Sequence, residues 1–318
     1  MVLTLRKTAT DRFTRYRHIW IGKWWTWNFN RELQGNGLFV CAYANFLNYW
    51  GANSCGGRFW RTSDDQLTRG GPASLNPAGH TWNVNLNSGS RKPVSFDAGG
   101  GVDANEFGGW SHNGNVSISL KPLSSLSISI GPQLNKSRGV AQYIQTETDP
   151  AATATYGHRY VFGTIDQTQL TLTTRVNFVL TPRAAVQVFM QPLLATGGYR
   201  GFKELAAPGT FDFLRYGSGG SAIAYDPFSR LYSVSPDAAN PASAFTFQNP
   251  DFNFKSLRVN AVFRWEFRPG STLYAVWTSE RQDLSRPGIF RFGRDLSTLV
   301  HAPSNDIVLV KLAYWIGR

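Results

Sequence analysis

The side chains most able to do chemistry are five histidines, two cysteines, a few acidic pairs and eleven tryptophans. His18, His80, His112, His158 and His301 lie far apart, and none has ligand spacing such as His-Glu-x-x-His. No metal site and no cofactor are expected. A catalytic triad is defined by geometry rather than chain order, so His112 beside Ser111, or His158 near Asp166, could serve an envelope hydrolase. The plainer reading makes them rim or loop histidines, and no catalytic motif is found. Asp64-Asp65 and Asp103 with Glu106 lack the dense Asp/Asn/Gly pattern of a Ca²⁺ loop and read as solvated loop ends. Gly99 to Gly101 precedes no helix pattern, which argues against a phosphate cradle and for close backbone approach within a strand.

The elements that must position these residues are strands. Leu257, Val259, Ala261, Phe263, Trp265 and Phe267 occupy alternate positions, with Arg258, Asn260, Arg264, Glu266 and Arg268 between them. After Arg268-Pro269-Gly270-Ser271, Leu273, Ala275 and Trp277 resume one parity. Period two gives each strand one apolar and one polar face. The same alternation marks Val116 to Leu120, Leu126 to Ile130, Leu170 to Leu180, Val186 to Met190 and the closing Val308 to Ile316. Gly35-Asn36-Gly37 reads as a turn, and Gly51 to Ser54 as another, leading into a less regular segment over residues 56–66. With the turn near Gly51, Cys41 and Cys55 fall about seven residues out of register, on the order of 20 Å along the strands. They are therefore expected not to be bridged, since a disulfide needs Cα atoms within about 7 Å.

Three connections are very short: Lys121 to Ser124, Thr181 to Ala184 and Arg268 to Ser271. Those between them are long, over residues 135–166, 197–250 and 282–304, with a hairpin expected from Tyr143 to Glu147 against Arg159 to Thr164. Tight turns alternating with long loops fit a transmembrane β-barrel of outer-membrane type. The expected fold is all-β and antiparallel, a barrel of about 12–16 strands. Residues 1–21 read as a basic N-terminal segment whose strand partner lies upstream, and residues 22–318 as the barrel.

Composition agrees. Aromatics are 14% and charged residues only 16% of 318 residues, and the mean hydropathy of −0.26 suits a barrel with a polar lumen and loops. No run of about 18 apolar residues suggests a membrane helix. Residues 1–10 lack an apolar core and cleavage site, so the chain is expected to be the C-terminal part of a longer protein. The net charge of +12 has no basic helix or nucleic-acid motif to go with it. It is assigned to lumen and loops near anionic head groups, or to an anion-selective lumen.

Several blocks are distinctive together: Thr68-Arg69-Gly70-Gly71-Pro72, Arg91-Lys92-Pro93-Val94-Ser95, Thr153 through Phe162, Arg264 through Ser271, Gly293-Arg294-Asp295-Leu296, and Val310 through Trp315. They resemble the family called domain of unknown function 5916, from about Trp24 to the end. The resemblance implies an outer-membrane barrel that follows a family-9-like carbohydrate-binding sandwich in bacterial envelope proteins. No functional residue carries over from it.

Strand parity nominates Arg175, Gln187, Arg258 and Arg264 as lumen-lining residues. Trp265, Trp277, Tyr314 and Trp315 are nominated for an interfacial aromatic girdle, with sugar stacking by Trp60 or Trp110 as the functional alternative. Expected partners are outer-membrane lipid and lipopolysaccharide, the barrel assembly machinery, and a carbohydrate or other small solute; nucleic acid is not expected. The function expected is a channel or uptake barrel in the bacterial outer membrane. The alternatives are an anchor or conduit for an upstream domain, and the hydrolase above.

Overall fold

A computed structural model describes residues 1–285 and 288–317; Arg286 and Pro287, within the expected loop of residues 282–304, and the terminal Arg318 lie outside the described residues. Thirteen strands follow one another in an antiparallel meander: β1 (Val2–Lys7), β2 (Thr14–Trp27), β3 (Leu33–Phe46), β4 (Gly51–Phe59), β5 (Gly79–Asn87), β6 (Val94–Asn105), β7 (Trp110–Leu123), β8 (Leu126–Thr148), β9 (His158–Thr181), β10 (Ala184–Leu205), β11 (Phe252–Arg268), β12 (Ser271–Asp283) and β13 (Ser304–Ala313). A three-residue strand, Phe213–Arg215, pairs with the end of β10 and makes the sheet fourteen-stranded. The fold is all-β and antiparallel, as the alternation implied. The sheet is not closed: among the described residues β1 pairs only with β2, and β13 only with β12. The expected barrel is thus an open sheet here. Nothing in period-two patterning reports whether the first and last strands meet. The boundary expected at residues 21 and 22 falls inside β2, whose upstream partner is β1.

The three tightest connections, residues 124–125, 182–183 and 269–270, all lie at one end of the sheet. At the other end lie the long ones, residues 60–78, 206–251 and 284–303. They carry a small two-stranded sheet (Thr62–Asp64, Ser74–Asn76), a three-stranded sheet (Ala222–Asp226, Leu231–Ser235, Phe245–Gln248) and one helix, α1 (Phe292–His301). The expected hairpin is present, with Thr146 opposite Tyr160 and Glu147 opposite Arg159.

Two early turns fall elsewhere than expected. The β2–β3 turn is residues 28–32, with Arg31 in the left-handed region at φ 63°. Gly35 and Gly37 lie inside β3, where a Cβ at either would run into the Trp24 ring. The glycine pair marks close approach rather than reversal. The β3–β4 turn is residues 47–50, closed by the Asn48 side chain accepting from Trp50 N–H at 3.1 Å, with Tyr49 at φ 68°. Gly51 therefore starts β4 instead of turning the chain. That shift places Cys41 directly opposite Cys55. They form a disulfide with Cα atoms 4.1 Å apart, contrary to expectation. The mis-centred turn alone produced the error.

Strands β8, β9 and β10, of 23, 24 and 22 residues, far exceed the roughly 9–11 residues that cross a bilayer. Their upper parts carry a conventional core. Val161, Phe202, Tyr216, Val234 and Phe247 form one buried cluster, and Tyr160, Phe162 and Leu205 another. Below this cap the sheet is a single layer. Register breaks between Gly139 and Gln142, between Tyr143 and Gln145, and between Phe162 and Thr164 lie side by side where the two zones join. Gly201 is there too, at φ 59°, and such bulges bend a strand locally.

Lys203 is buried in the cap, with its ammonium 4.1 Å from the Phe213 ring centre. Burial, with a lesser push from Arg215, brings its pKa from 10.5 down to about 8. The folded cap then holds fewer protons than the unfolded chain between those values, so stability should rise with pH across that window. Lys203→Met is expected to raise stability by about 2 kcal/mol at pH 7. It should also flatten the rise between pH 8 and pH 10, measured as thermal midpoints beside the parent protein.

Candidate functional site

Because residues directly opposite in an antiparallel ladder share a face, the register sorts the whole sheet into two faces. On one, Val94, Leu120, Ile128, Val176, Val188, Ala261, Trp277 and Val308 form an unbroken row across β6 to β13. The row continues in kind through Leu86, Ala52, Ala42, Ile19 and Leu5 on the earlier strands. Many members are open to solvent, among them Val94 at 56%, Trp277 at 43% and Val308 at 73%. The other face reads Ser95, Ser119, Ser129, Arg175, Phe189, Asn260, Thr278 and Ile307 along one row.

All four nominated polar residues lie on this second face. Arg175 lies with its guanidinium 5.2 Å from the Phe189 ring centre. Arg258 pairs with Glu280 at 3.1 Å, and Arg264 approaches Glu266 at 3.8 Å. Gln187 stands exposed, opposite Asn177 and Val262. Paired in this way, the arginines present less free positive charge than their number suggests.

Of the four nominated aromatics, three gather at the short-turn end. Trp265 lies 5.9 Å from Phe267, which stacks on Tyr314 at 6.4 Å. Tyr314 Oη accepts from Arg268 at 2.6 Å. Trp315 lies over Gly270, and its backbone N–H donates to Ser271 Oγ at 2.9 Å. Trp277 stands apart, where the apolar run of β12 gives way to Ser279 and Arg281, with Nε1 donating to Asp306 at 3.0 Å.

A cavity of about 450 Å³ opens at the long-loop end and is lined by residues of every strand from β2 to β9. Seven interstrand steps of about 4.8 Å would hold β2 and β9 roughly 34 Å apart in a flat sheet. The sheet is therefore strongly curled around its polar face. Loops bridge the same curl: Phe107 stacks on Phe211 at 4.5 Å, and Gly209 N–H donates to Ala73 at 2.7 Å.

Trp60 and Trp110 both contribute to this wall, the two tryptophans named for ring stacking. Trp24 lies against the backbone of Gly35 and Gly37, glycine serving as the bed for an aromatic ring on the neighbouring strand. Gln34 Nε2 is buried at the wall without a hydrogen-bond partner. Ser111 Oγ donates to Asp103 at 2.6 Å on the polar face, while Arg138, opposite Trp110 and by register on the other face, binds Asp166 at 2.7 Å. The wall offers aromatic rings, side-chain amides and the unmet amide group of Gln34; of its two charged side chains, Arg138 is paired with Asp166, and Asp103 accepts from the Ser111 hydroxyl.

Beside it, the polar face carries a band of amides. Asn85 donates to Asn53 at 3.0 Å, and Gly99 leaves the room between Asn85 and Asn115. The sequence marked these glycines as close-approach points. Gln34 and the role of Trp24 escaped it, although a Gly-x-Gly pair one strand after a tryptophan run was the available signal.

The proposed triads do not assemble. Ser111 and His112 are successive strand residues on opposite faces; His112 lies 4.8 Å from the Trp110 ring while Ser111 holds Asp103. His158 and Asp166 sit eight residues apart along β9, and Asp166 is taken by Arg138 and Arg200.

No curated protein matches the chain. The sequence profile of the family described as domain of unknown function (DUF5916) matches residues 68–317, starting later than the resemblance from Trp24 suggested. With its match running through the curled sheet, the cap and the final strand, the chain belongs to the DUF5916 family.

Proposed function

We propose that this chain is a membrane-spanning domain of outer-membrane barrel type, whose polar face admits a small uncharged polar solute such as a carbohydrate. The observation that carries the reading is the apolar face, continuous over thirteen strands and exposed at large residues such as Val310 (66%) and Leu312 (63%). A soluble monomer rarely exposes an apolar patch beyond a few hundred Å²; lipid is the natural solvent for this one. The Cys41–Cys55 disulfide suits an oxidising envelope compartment. Lipid, lipopolysaccharide and the barrel assembly machinery are the partners this reading implies.

The cap and the long loops over one end favour a second reading, an anchor with a blocked passage. Refolding in detergent should give a β-rich spectrum and a gel band that migrates faster unheated than heated. Planar-bilayer conductance then separates the two: steady steps support passage, and a folded but silent protein supports the anchor. A β-poor aggregate under conditions that fold control barrels would sink both.

A further inference from the structure

The two edges of the sheet run the same way. An antiparallel meander of thirteen strands has its first and last strands parallel, here β1 and β13. Every residue of both strands is exposed. In lipid, the open N–H and C=O groups of such edges cost several kcal/mol each, so they must be met.

The character of the edges narrows what can meet them. β13 presents Val308, Val310 and Leu312 outward, and Ile307 and Leu309, 58% and 53% exposed, on the otherwise polar face. β1 presents Leu3 and Leu5 outward, 54% and 62% exposed. A second copy in the same membrane orientation could offer only edges that run the same way again. An inverted copy would put its long loops on the wrong side of the bilayer.

We propose that the gap between β1 and β13 accepts one extended strand of about ten residues, antiparallel to both, which brings the thirteen-strand meander to the even count usual for bacterial barrels. It is apolar outward where it lies beside Val308, Val310 and Leu312, and apolar inward where it lies beside Leu309. This is strand addition at an open edge, with main-chain bonds giving affinity and alternate side chains giving fit. The inference rests on the barrel reading.

The test uses the refolded full chain with Thr4→Cys paired in turn with Ile307→Cys, Leu309→Cys or Lys311→Cys; the native cysteines are already bridged. The probe is a fluorescent synthetic peptide copying residues 271–283, the strand that β13 already pairs with antiparallel. One peptide should bind per chain, at least tenfold more tightly than the same peptide carrying Ala275→Pro. With peptide present, a reagent spanning about 10 Å, two interstrand steps, should join a cysteine pair that does not oxidise directly.

Direct disulfide formation in protein that keeps its heat-shifted band would mean that β1 and β13 pair with each other, which overturns the added strand alone. A folded band with no peptide uptake overturns it too. Absence of the band overturns the barrel reading and this inference together.

Discussion

Replacing Arg159 with methionine is expected to destabilise the cap by about 3–5 kcal/mol, the range for breaking a buried ion pair from one side. Arg159 is buried between Asp149, at 2.7 Å, and Glu204, at 2.5 Å, and Tyr216 Oη donates to Glu204 at 2.8 Å. Burial works against the Asp149 carboxylate, but bonds from Arg159, the Ala151 N–H and Ser243 outweigh it and hold its pKa below the ordinary value. A carboxylate held low contributes stability that is present above the unfolded pKa and lost as pH falls through the folded one. Without Arg159 the two carboxyl groups must take up protons to stay buried, so the deficit should shrink as pH is lowered. Thermal midpoints at pH 7 and pH 5 check this. A deficit independent of pH would assign the loss to packing instead.

An arginine on the apolar face should matter as much to the lower sheet as Arg159 does to the cap. Ile130 faces outward on β8, opposite Ile118 and Thr174. Ile130→Arg is expected to cost about 2–4 kcal/mol of folding in vesicles, the range for a charge near the bilayer midplane. Ser129→Arg, one residue away on the polar face, should cost little. Urea titrations of vesicle-folded protein, read by gel migration, give both numbers. Equal tolerance of the two would mean that the apolar face does not meet lipid.

The lower sheet was legible because period-two alternation is a local property. Arg175, Gln187, Arg258 and Arg264 were assigned to one face by counting along strands, and the register keeps them there. Turns defined by proline and glycine, such as Pro269-Gly270, fell where expected. Those in glycine-rich stretches did not, because glycine serves equally for reversal and for close packing. At Gly35 and Gly37 the deciding partner is Trp24, eleven and thirteen residues earlier. At Gly51 the true turn rests on Asn48 and a left-handed Tyr49, and a three-residue displacement there concealed a disulfide. The cavity was legible only in fragments. Trp60 and Trp110 were noticed separately, but that they line one cavity depends on the curl of eight strands, which no local pattern encodes.

The line of register breaks across β8, β9 and β10 has a mechanical consequence. Between it and the short turns, where further breaks fall at Leu126/Ile128 and Val179/Thr181, the ladders are regular, and a regular ladder cannot slip by one residue without turning its apolar side chains to the polar face. The sheet and the cap therefore behave as two stiff plates joined by a crease. A load on the cap would be taken up by flexing at Gly139, Gly201 and their neighbours, and the spacing of side chains along each strand would stay fixed while the angle over the cavity mouth changed.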